Sequence, residues 1–584
     1  MDFEHYFRDE LRYLKELGDL VAEESPALAE FLATSANDAA VMRLFEGFAA
    51  LTGRLRQRID DAFPEVTQPL LERVWPTPLH AMPSITVMEI AAKDRAIVYR
   101  VEKGTEFTSD SDIGQSCRFR TVHPLSIQPL VLQSYSLLNS PEGSVLVVRL
   151  RWSGAIDGER SFLFKQPIDL FLGPDSYHAG ILLLWFEQYL GSVVLRRPTG
   201  GGDVHFSPGV IAAKAVCAES LALAVFPTTY WRLQLALEYF YAPRVADFVT
   251  LDFSAEPCRV TVDDDGEFTL AFNFERALPF QALPSEAFLL HCVPAINLFP
   301  SQSLPLQAEA ARPSFAVEPR EKSQSIHSIT GVYGTIEPDE EGDAASRGAA
   351  VTYPLISRFT RQPFAEQRFY QLHRDGVFPG MPTHRLSFVD ARGNRFDGLL
   401  PRETVYCELL CSNGKLAERI APGRRLFANK TLGSGLLARN VASVSVAHPP
   451  IFDSHCHWPL IDLLSLNVFA LSDRQMVNHI LQVLQLYVDA DRPLAKKVKR
   501  YCEGINQITS EPKDYLVMGG PYRGKAVTIF LNSEHYPDAG EMYRFALLLV
   551  RLLPYCLPAN LILKIDVLIN ETADRWYFDA VKGS

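Results

Sequence analysis

Over roughly the first 75 residues, apolar side chains recur every three or four positions. Phe3, Phe7, Leu11, Leu14, Leu17 and Val21 follow this spacing, with Arg8, Asp9, Glu10, Arg12, Lys15 and Glu16 between them, which predicts an amphipathic helix. Ser25-Pro26 reads as an N-cap followed by a first-turn proline, opening a short helix through Phe31 and Leu32. Val41, Leu44, Phe45, Phe48, Leu51, Leu55 and Ile59 then repeat at helical spacing until Phe63-Pro64. Helices of this kind either close a hairpin bundle within the chain or complete their core only against other chains.

At Trp75-Pro76-Thr77-Pro78 the pattern changes to short β-prone runs separated by turn residues. Ser84 to Ile90 alternates, Gly143 to Leu150 is strand-like, and Asp263-Asp264-Asp265-Gly266 predicts a tight turn between strands. Helix-length segments at 217–225 and 228–240 interrupt this region. The stretch Gly334 to Ala350, GTIEPDEEGDAASRGAA, is poor in large apolar residues and predicts an exposed acidic loop. Strands resume at Leu386 to Val389 and Val405 to Leu410. Beyond Trp458 the pattern is mixed, with helices expected at 459–470, 473–487 and 541–553 and strands at 526–531 and 561–568.

The 584 residues exceed what one hydrophobic core organises. The expected fold is α+β and multi-domain. A helical N-terminal segment (1–78) precedes a β-rich domain with helical decoration (79–320), a second β-rich domain carrying the acidic loop (321–450), and a mixed α/β C-terminal domain (451–584). The formal charge of −12 and the lack of a long basic stretch point away from nucleic acid. The N-terminus lacks a signal-peptide core, and the apolar runs ILLLWF (181–186) and FALLLV (545–550) fall short of the roughly 20 residues that span a bilayer. A cytoplasmic protein without direct membrane insertion is expected. Nine scattered cysteines without a Cys-x-x-Cys motif suit buried thiols in a reducing compartment.

Three motifs invite a catalytic reading. In IFDSHCHWPL (451–460), Asp453, His455 and His457 occupy alternate positions, which a β-strand would turn to one face as ligands for a divalent metal. A metal-dependent hydrolase using these three residues is the alternative function. Barrel hydrolases that begin this way need later strands of a roughly 250-residue barrel for their remaining ligands, and 127 residues follow His457. Histidines in a loop ahead of a helix are the simpler account. Gly519 to Lys525 fits G-x-x-x-x-G-K, but Ala526 offers no hydroxyl to Mg²⁺ and the following VTIFL predicts a strand where phosphate binding requires a helix N-terminus. The acids from Asp263 to Glu267 are better explained by a turn than by calcium.

Several blocks, taken together, resemble the TssF family, baseplate wedge subunits of bacterial type VI secretion systems. They are YFRDELRYLKELGDLVAEESPALAEFL, RLFEGFAALTGRLRQRIDDAFPEVTQPLLERVWP, KGTEF with CRFRT, LALEYFYAP, FLLHCVPAINLFP, ELLCSNG and WPLIDLLSLNVFALS. They follow the family's order from about residue 3 to residue 569. The chain departs from the family at Cys411-Ser412-Asn413, where Cys-Thr-Asn is common, and the loop around Glu337 to Ala350 looks particular to this branch. The resemblance implies a structural role with no catalytic residue and no cofactor. Similar proteins form a wedge of two copies with one TssG, to which TssK trimers attach. Wedges surround the spike hub VgrG, support TssE and the contractile sheath, and meet a membrane complex at the inner membrane. On this reading Leu44, Phe48, Leu51 and Leu55 are expected in an interchain helical bundle, and Trp75 to Pro83 is the candidate flexible junction.

Overall fold

The computed structural model describes residues 3–24, 39–60, 64–109, 116–155, 161–164, 166–197, 202–223, 225–226, 230–307, 314–336, 350–356, 368–375, 383–390, 393–394, 403–428, 435–451, 454–465, 477, 492–517, 520–556 and 561–582. It is a mixed α and β fold with several sheets. Among these residues the helices longer than three turns or so are α1 (Phe3–Glu24), α2 (Ala39–Asp60), α3 (Pro64–Val74), α4 (Ser176–Gln188), α5 (Trp231–Tyr241), α6 (Ser454–Ser465), α7 (Arg492–Glu503) and α8 (Ala539–Leu552). The chain divides into two compact units, Met1–Leu79 with Ile451–Leu466, and His80–Pro450 with Asn467–Ser584.

The first unit is helical, as the 3.6-residue period requires. Helices α1 and α2 pack side by side and α3 packs on α6. Helix α3 starts at Pro64, where a proline's missing N–H costs nothing. The expected short helix at Phe31 and Leu32 lies outside the described residues, as does almost all of 473–487. The division between units falls within Trp75 to Pro83, after Leu79. Neither side of it is a bare linker: Trp75 and Leu79 are buried in the one unit, His80 and Met82 in the other, and Met82 exchanges backbone hydrogen bonds with His448.

The second unit is organised around a closed barrel. Its strands run in the order Ile85–Ala92, Cys292–Ile296, Arg118–Thr121, Glu106–Ser109, Arg425–Ala428, Leu436–Asn440 and back to the first. Alternation puts Met88, Ile90, Phe107, Phe119, Val293, Leu426 and Ala438 into one core. Two sheets are built between the third and fourth of these strands in sequence. One has five strands with Gly143–Trp152 and Glu267–Phe274 at its centre; the other has four, including Ile168–Phe171 and Phe248–Leu251. Asp263 closes the turn before Glu267: its carboxylate accepts from the amides of Asp265 at 3.0 Å and Glu267 at 2.7 Å, and Gly266 takes φ +79°. The segment 217–225 holds only a three-residue 3-10 turn, whereas 228–240 contains α5.

A further pair of sheets encloses a separate core of Phe299, Val332, Tyr353, Tyr370, Leu386, Phe388, Val405 and Leu409. The larger carries Ser325–Ile336 against Glu403–Ser412, the smaller Phe369–Asp375 against Thr383–Val389. The ends of the expected acidic loop are strand: Gly334, Thr335 and Ala350 pair in the hairpin, and 337–349 lie outside the described residues. Near the C-terminus, Ile505–Val517 and Gly520–Leu531 form a long hairpin. The latter then crosses over through α8 to the parallel strand Ile562–Ile569.

Helices α4 and α8 are where the β-rich region and the C-terminal sheet are fixed together. Both apolar runs flagged in the sequence belong here: Ile181 to Phe186 is buried all round in α4, as a helix without a polar face must be. The two helices touch backbone to backbone at Gly180 and Gly540. A Cβ on Gly180 would sit 3.1 Å from the Gly540 carbonyl carbon, and one on Gly540 would overlap the Gly180 backbone. One turn further, Arg544 reaches across the crossing. Its guanidinium donates to Ser176 Oγ and Ser176 O, each at 3.0 Å, and to Glu541 Oε2 at 3.0 Å. Its Nε lies 2.7 Å from Asp247 Oδ1, and Arg244 holds the other Asp247 oxygen at 2.6 Å. These contacts to Asp247 are ion pairs without hydrogen-bond alignment. Glu541 also accepts from Tyr501 at 3.0 Å and Lys497 at 2.9 Å.

Burial works against the charge on Glu541, but Lys497 and Arg544 outweigh it and hold the carboxyl down at about 2. A carboxylate depressed in the fold stabilises above its unfolded pKa and loses that contribution as the pH falls from about 4.3 toward 2. Arg544→Met leaves Asp247 and Glu541 buried with less compensation and is expected to cost about 3–5 kcal/mol, with part of it recovered in Arg544→Met/Asp247→Leu. Gly540→Ala is expected to cost about 1–3 kcal/mol or more by forcing the crossing apart. Urea titration of the full-length chain measures all three.

Candidate interaction surface

Helix α2 has two unlike faces. Ala49 and Gly53 are buried, and a Cβ on Gly53 would lie 3.3 Å from the backbone of Phe7 in α1, so small residues set the closeness of the hairpin. Tyr6 is the large buried side chain that α1 contributes. Leu44, Phe48 and Leu51 lie roughly 100–180° around α2 from Ala49 and Gly53. They are 72%, 56% and 66% exposed. Tyr13 and Leu17 of α1 are exposed too. The sequence period therefore merged two stripes, a small-residue one used inside the chain and a large apolar one that the chain leaves uncovered. The side chain of Leu55, the fourth expected interface residue, lies outside the described set.

Charge on α1 is arranged along the helix. Glu4 with Arg8 at 2.6 Å and Asp9 with Arg12 at 3.4 Å are exposed pairs, of little consequence to stability, which keep the surface soluble around the apolar stripe.

The histidine motif lies at the start of a helix and not on the strand that its spacing suggested. Residues from Ser454 onward are helical in α6, where positions two apart lie about 200° apart around the axis and not on one face as on a strand. The helix starts upstream of the expected position, and Pro459 sits inside it. His457 is fully buried: its Nδ1 lies 3.0 Å from Thr67 Oγ1 on α3 and its Nε2 3.2 Å from the Ile451 carbonyl. Its expected place in a surface loop is thus corrected; it is a polar pin between α3 and α6. Asp453 and the side chain of His455 lie outside the described residues. Among the described residues no cluster of three or more His, Cys, Asp or Glu side chains could hold a metal.

The other motifs resolve similarly. Gly520 to Lys525 lies in the strand Gly520–Leu531, paired on both sides from Gly524 onward, with no helix N-terminus to receive a phosphate. The eight cysteines whose side chains are described are free thiols. Burial pushes Cys117 and Cys407 up to about 11, away from nucleophilic use. No described helix is long and apolar enough to cross a membrane.

What remains as a candidate is a surface for another protein. The profile of the type VI secretion system TssF family matches residues 1–580. The chain belongs to the TssF family. Among relatives, it is 25% identical over 583 residues to the type VI secretion system component TssF1 of Pseudomonas aeruginosa, covering 92% of this chain and 91% of that one. In structure it resembles a chain of the TssK-TssF-TssG baseplate subcomplex with a TM-score of 0.70 at 22% identity, covering 92% of this chain and 98% of the other. It also resembles a chain of a type VI baseplate complex with a TM-score of 0.57 at 21% identity, covering 99% of both. These two likenesses carry the fold of the TssF family to this chain.

The polar pin between α3 and α6 can be tested directly. Thr67→Val deprives buried His457 of a partner and is expected to cost about 1–3 kcal/mol in thermal unfolding. Metal analysis of the purified chain should find no stoichiometric zinc or manganese.

Proposed function

We propose that the chain is a structural, non-catalytic wedge subunit of a type VI secretion baseplate. It assembles with TssG and TssK, with two copies to one TssG, around the VgrG spike hub and in support of TssE and the sheath. The assembled wedge would lie at the cytoplasmic face of the inner membrane and dock there on the membrane complex. Membership of the TssF family supports the role, and the relatives' place in subcomplexes with TssK and TssG supports the partners.

The single observation that carries the proposal is the uncovered stripe Leu44, Phe48 and Leu51. Three large apolar side chains in a row on one helix face are an unfavourable end state in water, and burying each contributes about 1.5–3 kcal/mol. A helix face of this spacing is suited to a helical bundle formed with other chains, reading as i, i+4 and i+7 anchors. Leu55 extends the same stripe by one turn in sequence. The hairpin does not need these residues for its own closure, which Ala49 and Gly53 provide.

Leu44→Glu, Phe48→Glu and Leu51→Glu, singly and combined with Leu55→Glu, should abolish co-purification with co-expressed TssG while leaving the helical circular dichroism of the chain unchanged. Wild-type recovery of the complex by the combined variant would sink the interface. Mass measurement of the wild-type complex gives the copy number.

A further inference from the structure

The second unit holds a group of buried bases at the point where the chain enters the barrel. His80, five residues ahead of the first barrel strand, is buried, as are His327 on Ser325–Ile336 and His384 on Thr383–Val389. The rings of His80 and His327 stack at 5.0 Å, and Phe226 packs on both, at 4.5 Å from His80 and 5.8 Å from His327. His80 Nδ1 lies 2.8 Å from the His327 carbonyl, and Arg374 Nη2 lies 3.2 Å from His80 Nε2.

These two contacts fix the protonation of His80. A carbonyl only accepts, so Nδ1 carries the hydrogen and donates; a guanidinium only donates, so Nε2 must be the bare acceptor. Only neutral His80, in its Nδ1–H tautomer, makes both bonds at once. A second proton on Nε2 removes the acceptor and sets an imidazolium against a guanidinium.

We propose that His80, His327 and Arg374 form a proton-sensitive latch, which ties the two sheets of the second β core to the chain entering the barrel and opens when an imidazole of the stacked pair becomes charged. The geometry gives His80 one bond to each sheet: His327 lies on the larger, Arg374 on the smaller. The charged and titratable groups that bear on His327 are His80, Arg374, His384 and Arg120, from four different elements, and each is a base. Arg374 and His384 are direct cross-strand partners. Among the described residues, none of these groups is a carboxylate that would stabilise an imidazolium. The Nδ1 of His327 is buried without a hydrogen-bond partner among the described residues, so a proton there would also be unsolvated.

The sign follows from burial first and the neighbouring bases second, which hold His327 well below the ordinary histidine value. The native state then binds fewer protons than the unfolded chain. Its stabilising contribution is complete above the unfolded value of about 6.5 and is lost progressively as the pH falls below it.

Hydrogen exchange of the full-length chain at pH 7.5 and 5.5, corrected for the intrinsic pH dependence of exchange, tests the latch. Protection of 325–336, 369–375 and 383–389 should fall about tenfold more than that of the barrel strands 85–92 and 292–296. His327→Gln should remove that difference, as should His80→Gln/His327→Gln, while Arg374→Met should make it smaller. An equal response of the two regions in the wild-type chain overturns the proposal. So does a response undiminished in His327→Gln, which serves alone if the double variant does not fold.

Discussion

The second unit depends on one crossing. Where α4 meets α8, two glycines bring backbones into contact, and a single guanidinium gathers Ser176, Asp247 and Glu541 from otherwise separate parts of the chain. Each half of this arrangement requires the other. Without the missing side chains at Gly180 and Gly540 the helices would stand too far apart for Arg544 to reach Ser176. Without Arg544 the same approach would press Asp247 and Glu541 together in a dry interior, where like charges and lost hydration are costly. The result is that strands near residue 250 and helices near residue 540 behave as neighbours in one body. The arrangement is a tertiary event with almost no local trace.

This explains which parts of the fold could be read from the chain and which could not. The amphipathic period of α1 and α2, the alternation of Ile85–Ala92 and the Asp263 turn are local facts, set by a few consecutive residues, and the structure follows them. The strand after Gly520 was legible for the same reason, because VTIFL decides against a phosphate loop whatever precedes it. Closure of a barrel from strands between residues 85 and 440 was not legible, since pairing partners such as Met88 and Asn440 share no sequence signal. Nor were Gly180 and Gly540, which sit in unremarkable helical text.

The candidate surface was legible in part. Leu44, Phe48 and Leu51 stood out because they are large, and Ala49 and Gly53 did not, although they decide which face turns inward. His455 and His457 misled for a related reason. Alternate spacing means a shared face only on a strand, and the hydroxyl that His457 meets, on Thr67 of α3, lies 390 positions away. A buried histidine bonded to a hydroxyl looks in sequence like half of a metal site. The stacked pair of His80 and His327 gave no hint at all, being separated by 247 positions.

The two faces of α2 have a consequence for how such a protein can change over generations. The residues that close the hairpin and the exposed Leu44, Phe48 and Leu51 lie on different sides of one helix. On the proposed function, substitution of the outward set would alter whom the chain recognises without disturbing whether it folds, and the inward set would stay fixed while lineages drift. A secretion apparatus that must keep its own parts from mixing with those of a second, similar apparatus in one cell could diversify along that outward stripe alone.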